Sequence, residues 1–218
     1  MDNTQITEKT ITFVKHTLKD AEGGHDWFHI QRVFKNAMLI AKDYSQASPL
    51  IVALGALLHD IADSKFHNAD ETIGPKMAEE FLNSLGVESK VITQVIAIIN
   101  NISFKGGNFK QNYHSLELEI VQDADRLDAI GAIGIARCFN YGGFKNRKLY
   151  DPQIAPNLHM TKEQYKNSTA PTINHFYEKL LLLKERMNTE TGKKLAQKRH
   201  DFMELYLEQF YAEIDGER

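Results

Sequence analysis

His59 and Asp60 stand side by side at the end of the most apolar stretch of the chain, LIVALGALLHDIA. Ionisable groups are seldom buried unless they are paired, hydrogen-bonded or bound to a metal, so this pair needs compensation. A second histidine, His29, lies in GHDWFHIQRV at the first turn of a predicted helix, with Arg32 three residues on and hence on neighbouring surface. A third group, Asp123, Asp125 and Asp128, interrupts the otherwise apolar run LELEIVQDADRLDAIGAIGIAR. One histidine, a His-Asp pair and one aspartate from three helices would set two imidazoles and two carboxylates around a divalent ion. Mixed nitrogen and oxygen ligation suits Mn²⁺, Fe²⁺, Co²⁺, Ni²⁺ or Zn²⁺ better than Ca²⁺, and an octahedral ion so held keeps two positions for water and substrate. Neighbours on a helix point about 100° apart, so His59 and Asp60 can share an ion only at a helix end, which the polar loop from Ser64 supplies.

The same residues have plainer uses. His59 could make a satisfied core hydrogen bond, the three aspartates could pair with Arg126, and His25, four residues before His29, could be a cap or a metal partner. His16, His67, His114, His159, His175 and His200 show no partner spacing and read as solvated surface. Cys138, set among apolar residues, reads as a small buried hydrophobe and not as a nucleophile.

The elements that must position these groups read as helices, because the apolar residues recur at spacings of three and four. An opening helix is expected at about 4–20, and Asp26 should cap a second over about 27–44. Ser48 and Pro49 suit the cap and first position of a buried helix ending near Asp63. Two more follow near 72–85 and 88–101, then one long helix over about 115–140 that carries Gly131 and Gly134 inside it. The tail over about 172–213 reads as two helices separated near 188–192.

Length and composition narrow the classes further. The chain has 218 residues, 42% hydrophobic and 25% charged, with 26 Lys and Arg against 29 Asp and Glu for a net charge of −3. That composition excludes disordered, collagenous and disulfide-scaffold proteins, and it carries no basic excess of the kind that marks nucleic-acid or membrane-surface binders. A lone cysteine cannot close an internal bridge, so a cytoplasmic protein is expected. The polar N-terminus lacks a signal core, and no run approaches the roughly 18 to 20 apolar residues of a membrane span. A single all-α domain over 1–218 is the expectation.

Taken in order, GHDWFHIQRV, LGALLHDIAD and VQDADRLDAIGAIGIAR resemble the HD domain of metal-dependent phosphohydrolases over roughly residues 20–150. DADRLDAIGAIGIAR and the small size are similar to stand-alone bacterial HD proteins of the YpgQ type, some of which hydrolyse nucleoside triphosphates to monophosphate and pyrophosphate. The resemblance implies an all-α HD-domain helical bundle with an additional C-terminal helix pair. Its ligand pattern falls on His29, His59, Asp60 and Asp125, with Asp123 the rival for the last place. Asp63, three positions beyond the pair, corresponds to an acidic residue that assists water activation in relatives, and it could act as base or orient an imidazole. Arg32 and Lys65 are the candidates to hold phosphate oxygens. Asn100 and Asn101 stand where some HD subfamilies carry extra histidines for a second ion, which favours one divalent metal, Mn²⁺ ahead of Mg²⁺, Co²⁺, Ni²⁺, Fe²⁺ or Zn²⁺.

The implied substrate is a small phosphorylated molecule, a nucleotide, with neither nucleic acid nor membrane as partner. A nucleotide phosphomonoesterase and a non-catalytic metal- or nucleotide-binding module are the alternatives. No Walker-type glycine-rich loop is present. The loops KGGNF and NYGGFKNRKLYDP carry aromatic, amide and basic groups able to contact a base.

Overall fold

Ser48 and Pro49 start the helix around which the first half of the chain is assembled. The Ser48 side chain accepts from the Ile51 N–H at 3.5 Å, and Pro49 brings a φ already suited to the first helical position. In the computed structural model the described residues are 1–21, 24, 26–62, 70, 72–102, 113–161, 163–164 and 167–217. They form α1 (Asn3–Thr17), α2 (Trp27–Ala41), α3 (Pro49–Leu58), α4 (Ile73–Ser84), α5 (Ser89–Asn101), α6 (Leu116–Asp128), α7 (Gly131–Phe144), α8 (Asn174–Glu178), a 3-10 helix (Leu180–Arg186) and α9 (Glu190–Ile214). The all-α expectation holds, with no strand among the described residues, and no helix there is long and apolar enough to cross a membrane. Two compact units divide the chain, Met1–Asp125 and Arg126–Arg218.

In the first unit α3 packs against α1, α2 and α5, and α4 against α5. Every residue of α3 from Ile51 to Leu58 is buried, because this helix is covered on all sides and is apolar all round. Gly55 lets neighbours close in: a Cβ there would lie 3.1 Å from Ile98 Cδ1 and 3.5 Å from Val121 Cγ2. α1 is held to α4 by a stacked Phe13–Phe81 pair with ring centroids 4.0 Å apart. α3 stops at Leu58, short of the expected end near Asp63. His59 takes the C-cap position, and its ring satisfies a last-turn carbonyl, Ala56 O, at 2.9 Å.

In the second unit α9 packs against α7 and the 3-10 helix. Phe176, fully buried, stacks on Tyr206 with centroids 5.8 Å apart, and Phe139 meets both rings and Phe210. The long helix expected over 115–140 is two helices. α6 ends at Asp128, Ile130 is extended, and Gly131 takes φ +73°, a left-handed value that a glycine adopts without strain. Arginines receive the carbonyls left open at this break: Arg199 donates to Leu127 O, and Arg137 donates to Asp128 O at 3.3 Å. Gly134 belongs to the same corner, since a Cβ would stand 2.2 Å from Ala129 O.

Two histidines depart from the surface expectation. His175 is half-buried on α8 between buried Asn174 and Phe176; burial above all, then the charges of Lys179 and Arg147, pushes its pKa down to about 3. His200 is buried on the inner face of α9, with its Nε2 3.3 Å from Glu204. Cys138 is half-buried, not the fully buried hydrophobe expected, and its thiol donates to Thr172 O at 3.7 Å; burial above all raises it to about 12, so it stays protonated and is no nucleophile.

Gly134→Ala should destabilise the protein by about 1–3 kcal/mol, whereas Gly143→Ala, with nothing near its added Cβ and an ordinary helical φ, should be neutral or stabilising by up to about 1 kcal/mol. Denaturant midpoints of the two variants check the opposite signs. Between pH 6.5 and about 3 the unfolded His175 binds a proton that the folded one refuses, so stability falls as pH falls through that window. His175→Gln should flatten the acid limb of a stability–pH profile by one proton's slope.

Candidate metal centre

Asp26 sets the helix that carries His29. Its carboxylate accepts from the His29 N–H at 2.9 Å and caps α2, which fixes the first turn and turns the His29 ring inward, where it is 2% exposed. His59 arrives from the end of α3. A carbonyl can only accept, so the bond to Ala56 O makes Nδ1 the protonated nitrogen and leaves Nε2 with its lone pair. Asp125 comes from the last turn of α6.

These three converge. His29 Nε2 lies 3.6 Å and His59 Nε2 3.8 Å from Asp125 Oδ1, and the two rings meet edge to face with centroids 5.4 Å apart. One ligand atom from each residue lies within 4.8 Å of the other two. A divalent cation placed among these two imidazole nitrogens and the carboxylate oxygen would meet a donor atom from each residue. The donor chemistry therefore fits a divalent transition ion, with nitrogen and oxygen ligands and the backbone carbonyl behind His59 fixing its tautomer. Asp125 is 37% exposed where His29 is sealed, so the group opens to solvent at the carboxylate.

The other candidates distribute around this group. Asp60, the next residue after His59, is half-buried in the turn that ends α3 and stands outside the three-residue group. Asp123 is fully buried on α6 and also stands outside it. Asp128 is 1% exposed and accepts from Arg137 at 2.7 Å, so its partner is this arginine of α7. Arg32 is half-buried on α2, one turn after His29. Asp63 and Lys65, as well as His25, His67 and the KGGNF loop, lie outside the described residues.

Two residues that motif spacing did not single out also reach this neighbourhood. Asn36 Nδ2 donates to Ala124 O at 3.5 Å, and Gln122 Nε2 donates to Asn101 O at 3.0 Å. The available signal for Asn36 was its spacing of seven from His29, two turns along one helix face.

Known proteins share this arrangement of segments. The family described as HD domain matches residues 27–130. Over 220 residues, 99% of this chain and 97% of the other, the sequence is 37% identical to the uncharacterized protein YpgQ of Bacillus subtilis (strain 168). A crystal structure of an HD-superfamily hydrolase from Bacillus thuringiensis is similar with a TM-score of 0.79 and 43% identity, over 98% of this chain and 99% of that one. The crystal structure of B. subtilis YpgQ in complex with ADP is similar with a TM-score of 0.73 and 34% identity, over 98% and 97%. Three candidate ligand atoms within 4.8 Å of one another, on the segments that the family match spans, agree with that kinship: the chain belongs to the HD-domain family and is a metal-dependent phosphohydrolase.

Proposed function

We propose that this phosphohydrolase acts on nucleotides, hydrolysing nucleoside or deoxynucleoside triphosphates to monophosphate and pyrophosphate, with Mn²⁺ held by His29, His59, Asp60 and Asp125. The observation that carries the reading is the convergence of His29 Nε2, His59 Nε2 and Asp125 Oδ1. The nucleotide class draws support from the ADP in the YpgQ crystal structure. Asp60 supplies the fourth ligand in this reading, from a turn whose backbone is not locked into helical hydrogen bonding.

When bound, a divalent cation here supplies positive charge beside a phosphate oxygen and lowers the pKa of a water molecule. The chain's own residues do the rest. His59, donating through Nδ1 to Ala56 O, keeps its ring from rotating and its Nε2 aimed at the site. Asp63 takes or steers the proton of the attacking water. Arg32 grips phosphate oxygens through its planar fork, and Lys65 neutralises them as a point charge. Phosphoryl transfer depends mainly on positioning and on cations near the equatorial oxygens, so this small set suffices.

Chromatography of products from nucleoside triphosphates, with the metal-free protein reloaded with Mn²⁺, tests the proposal. Pyrophosphate and nucleoside monophosphate are the expected products. Orthophosphate from monophosphates would make it a phosphomonoesterase, and tight Mn²⁺ binding without turnover a binding module. His59→Ala and Asp125→Ala should each weaken Mn²⁺ binding by more than about a hundredfold and abolish hydrolysis, with the helical circular-dichroism signal retained. Asp63→Asn should lower kcat by about 10²- to 10⁴-fold with unchanged Mn²⁺ affinity, as steady-state kinetics and calorimetry would show.

A further inference from the structure

Asn36 follows His29 by two helical turns and shares its face of α2. Its side-chain amide donates to Ala124 O, the carbonyl of the residue before Asp125. α2 and α6 thus meet at two polar points: His29 Nε2 against Asp125 Oδ1 at 3.6 Å, and Asn36 Nδ2 against Ala124 O at 3.5 Å. One point leaves a pivot. Two points along a helix pair define both axial register and rotation.

Two further anchors of α6 in this unit join a side chain on one element to backbone on another. Gln122, 4% exposed, donates to Asn101 O at the end of α5 at 3.0 Å, and Glu117 accepts from the Ser48 N–H at the start of α3 at 2.9 Å. Apolar contacts such as those of Val121 and Ile98 around Gly55 resist separation but are not directional, whereas a hydrogen bond is lost on a shift of about 1 Å. Asn36 is the anchor adjoining the carboxylate, and it springs from the helix that carries His29.

We infer that Asn36 is a positioning residue of the metal centre: it sets the register of α6 on α2 and thereby holds the Asp125 carboxylate against His29. The inference rests on the proposed ligand set.

Calorimetric titration of the metal-free protein with Mn²⁺, together with thermal unfolding without metal, tests it. Asn36→Leu removes the amide at similar volume, and Asn36→Gln keeps an amide able to reach the carbonyl. Asn36→Leu should weaken Mn²⁺ binding about tenfold while the metal-free Tm stays within a few degrees of the parent, and Asn36→Gln should recover most of the affinity. Should Asn36→Leu fail to fold, Asn36→Ser, too short to reach the carbonyl, carries the same expectation. A Kd within twofold of the parent overturns the positioning role, as does an affinity loss that only tracks the loss of Tm. His59→Ala separates the two failures: if it too binds Mn²⁺ normally, the ligand set is wrong, and if it alone loses the ion, only the role of Asn36 is.

Discussion

Three lone-pair atoms within 4.8 Å of one another are the constraint on which the first unit depends. Two imidazole nitrogens and a carboxylate oxygen at such separations do not attract one another unless a proton or a cation lies between them. Their proximity is supported by the helices that carry them. Each helix is tied down close to its contribution: α2 by the Asp26 cap on the His29 N–H, α3 by burial from Ile51 to Leu58, and α6 by Glu117, Gln122 and Asn36. The site is preorganised by elements whose stability has other sources, which is how a fold holds groups that would otherwise move apart.

Helix ends do much of this work. α3 stops at Leu58, so His59 and Asp60 follow in a turn instead of a regular helix, and the His59 ring closes the end by bonding Ala56 O. α6 stops three residues after Asp125, and its open carbonyls go to Arg199 and Arg137, positive groups at a helix C-terminus where the macrodipole favours them. The same Arg137 neutralises the buried Asp128 carboxylate, a charge that would be costly alone. Of the three acidic residues in this segment, one is thus consumed by an arginine, one is sealed in the core, and Asp125 remains beside the histidines.

The second unit uses burial to the opposite end. Around Phe139, Phe176, Tyr206 and Phe210, the titratable groups are driven toward their neutral forms: the Cys138 thiol is raised to about 12 and the His175 imidazole lowered to about 3. Both are neutral at neutral pH, and neither belongs to the three-residue group of the first unit. A histidine in this chain is therefore a ligand candidate or a piece of core according to what surrounds it, and residue type alone does not tell the two apart.

What the linear sequence determined was local. Caps, proline and the three-four spacing of apolar residues were enough to place α2, α4, α5 and the start of α3, because these signals act within one or two turns. His59 and Asp125 were legible as chemically unusual because each interrupts an apolar pattern, and His29 by its place in the first turn of a helix beside Arg32. Tertiary structure decided the rest. The break between α6 and α7 was hidden because Gly131 and Gly134 fit a continuous helix in sequence, whereas the corner rests on Arg137 and Arg199 reaching back from residues 137 and 199. Which of Asp123, Asp125 and Asp128 lies beside the histidines depended on the rotation of α6, the depth of His175 and His200 on the layer packed over them, and the link from Asn36 to Ala124 on a fold that joins positions 88 apart in sequence. Local propensity carries no information about such long-range neighbours, because the energies that select them arise only when separate helices meet.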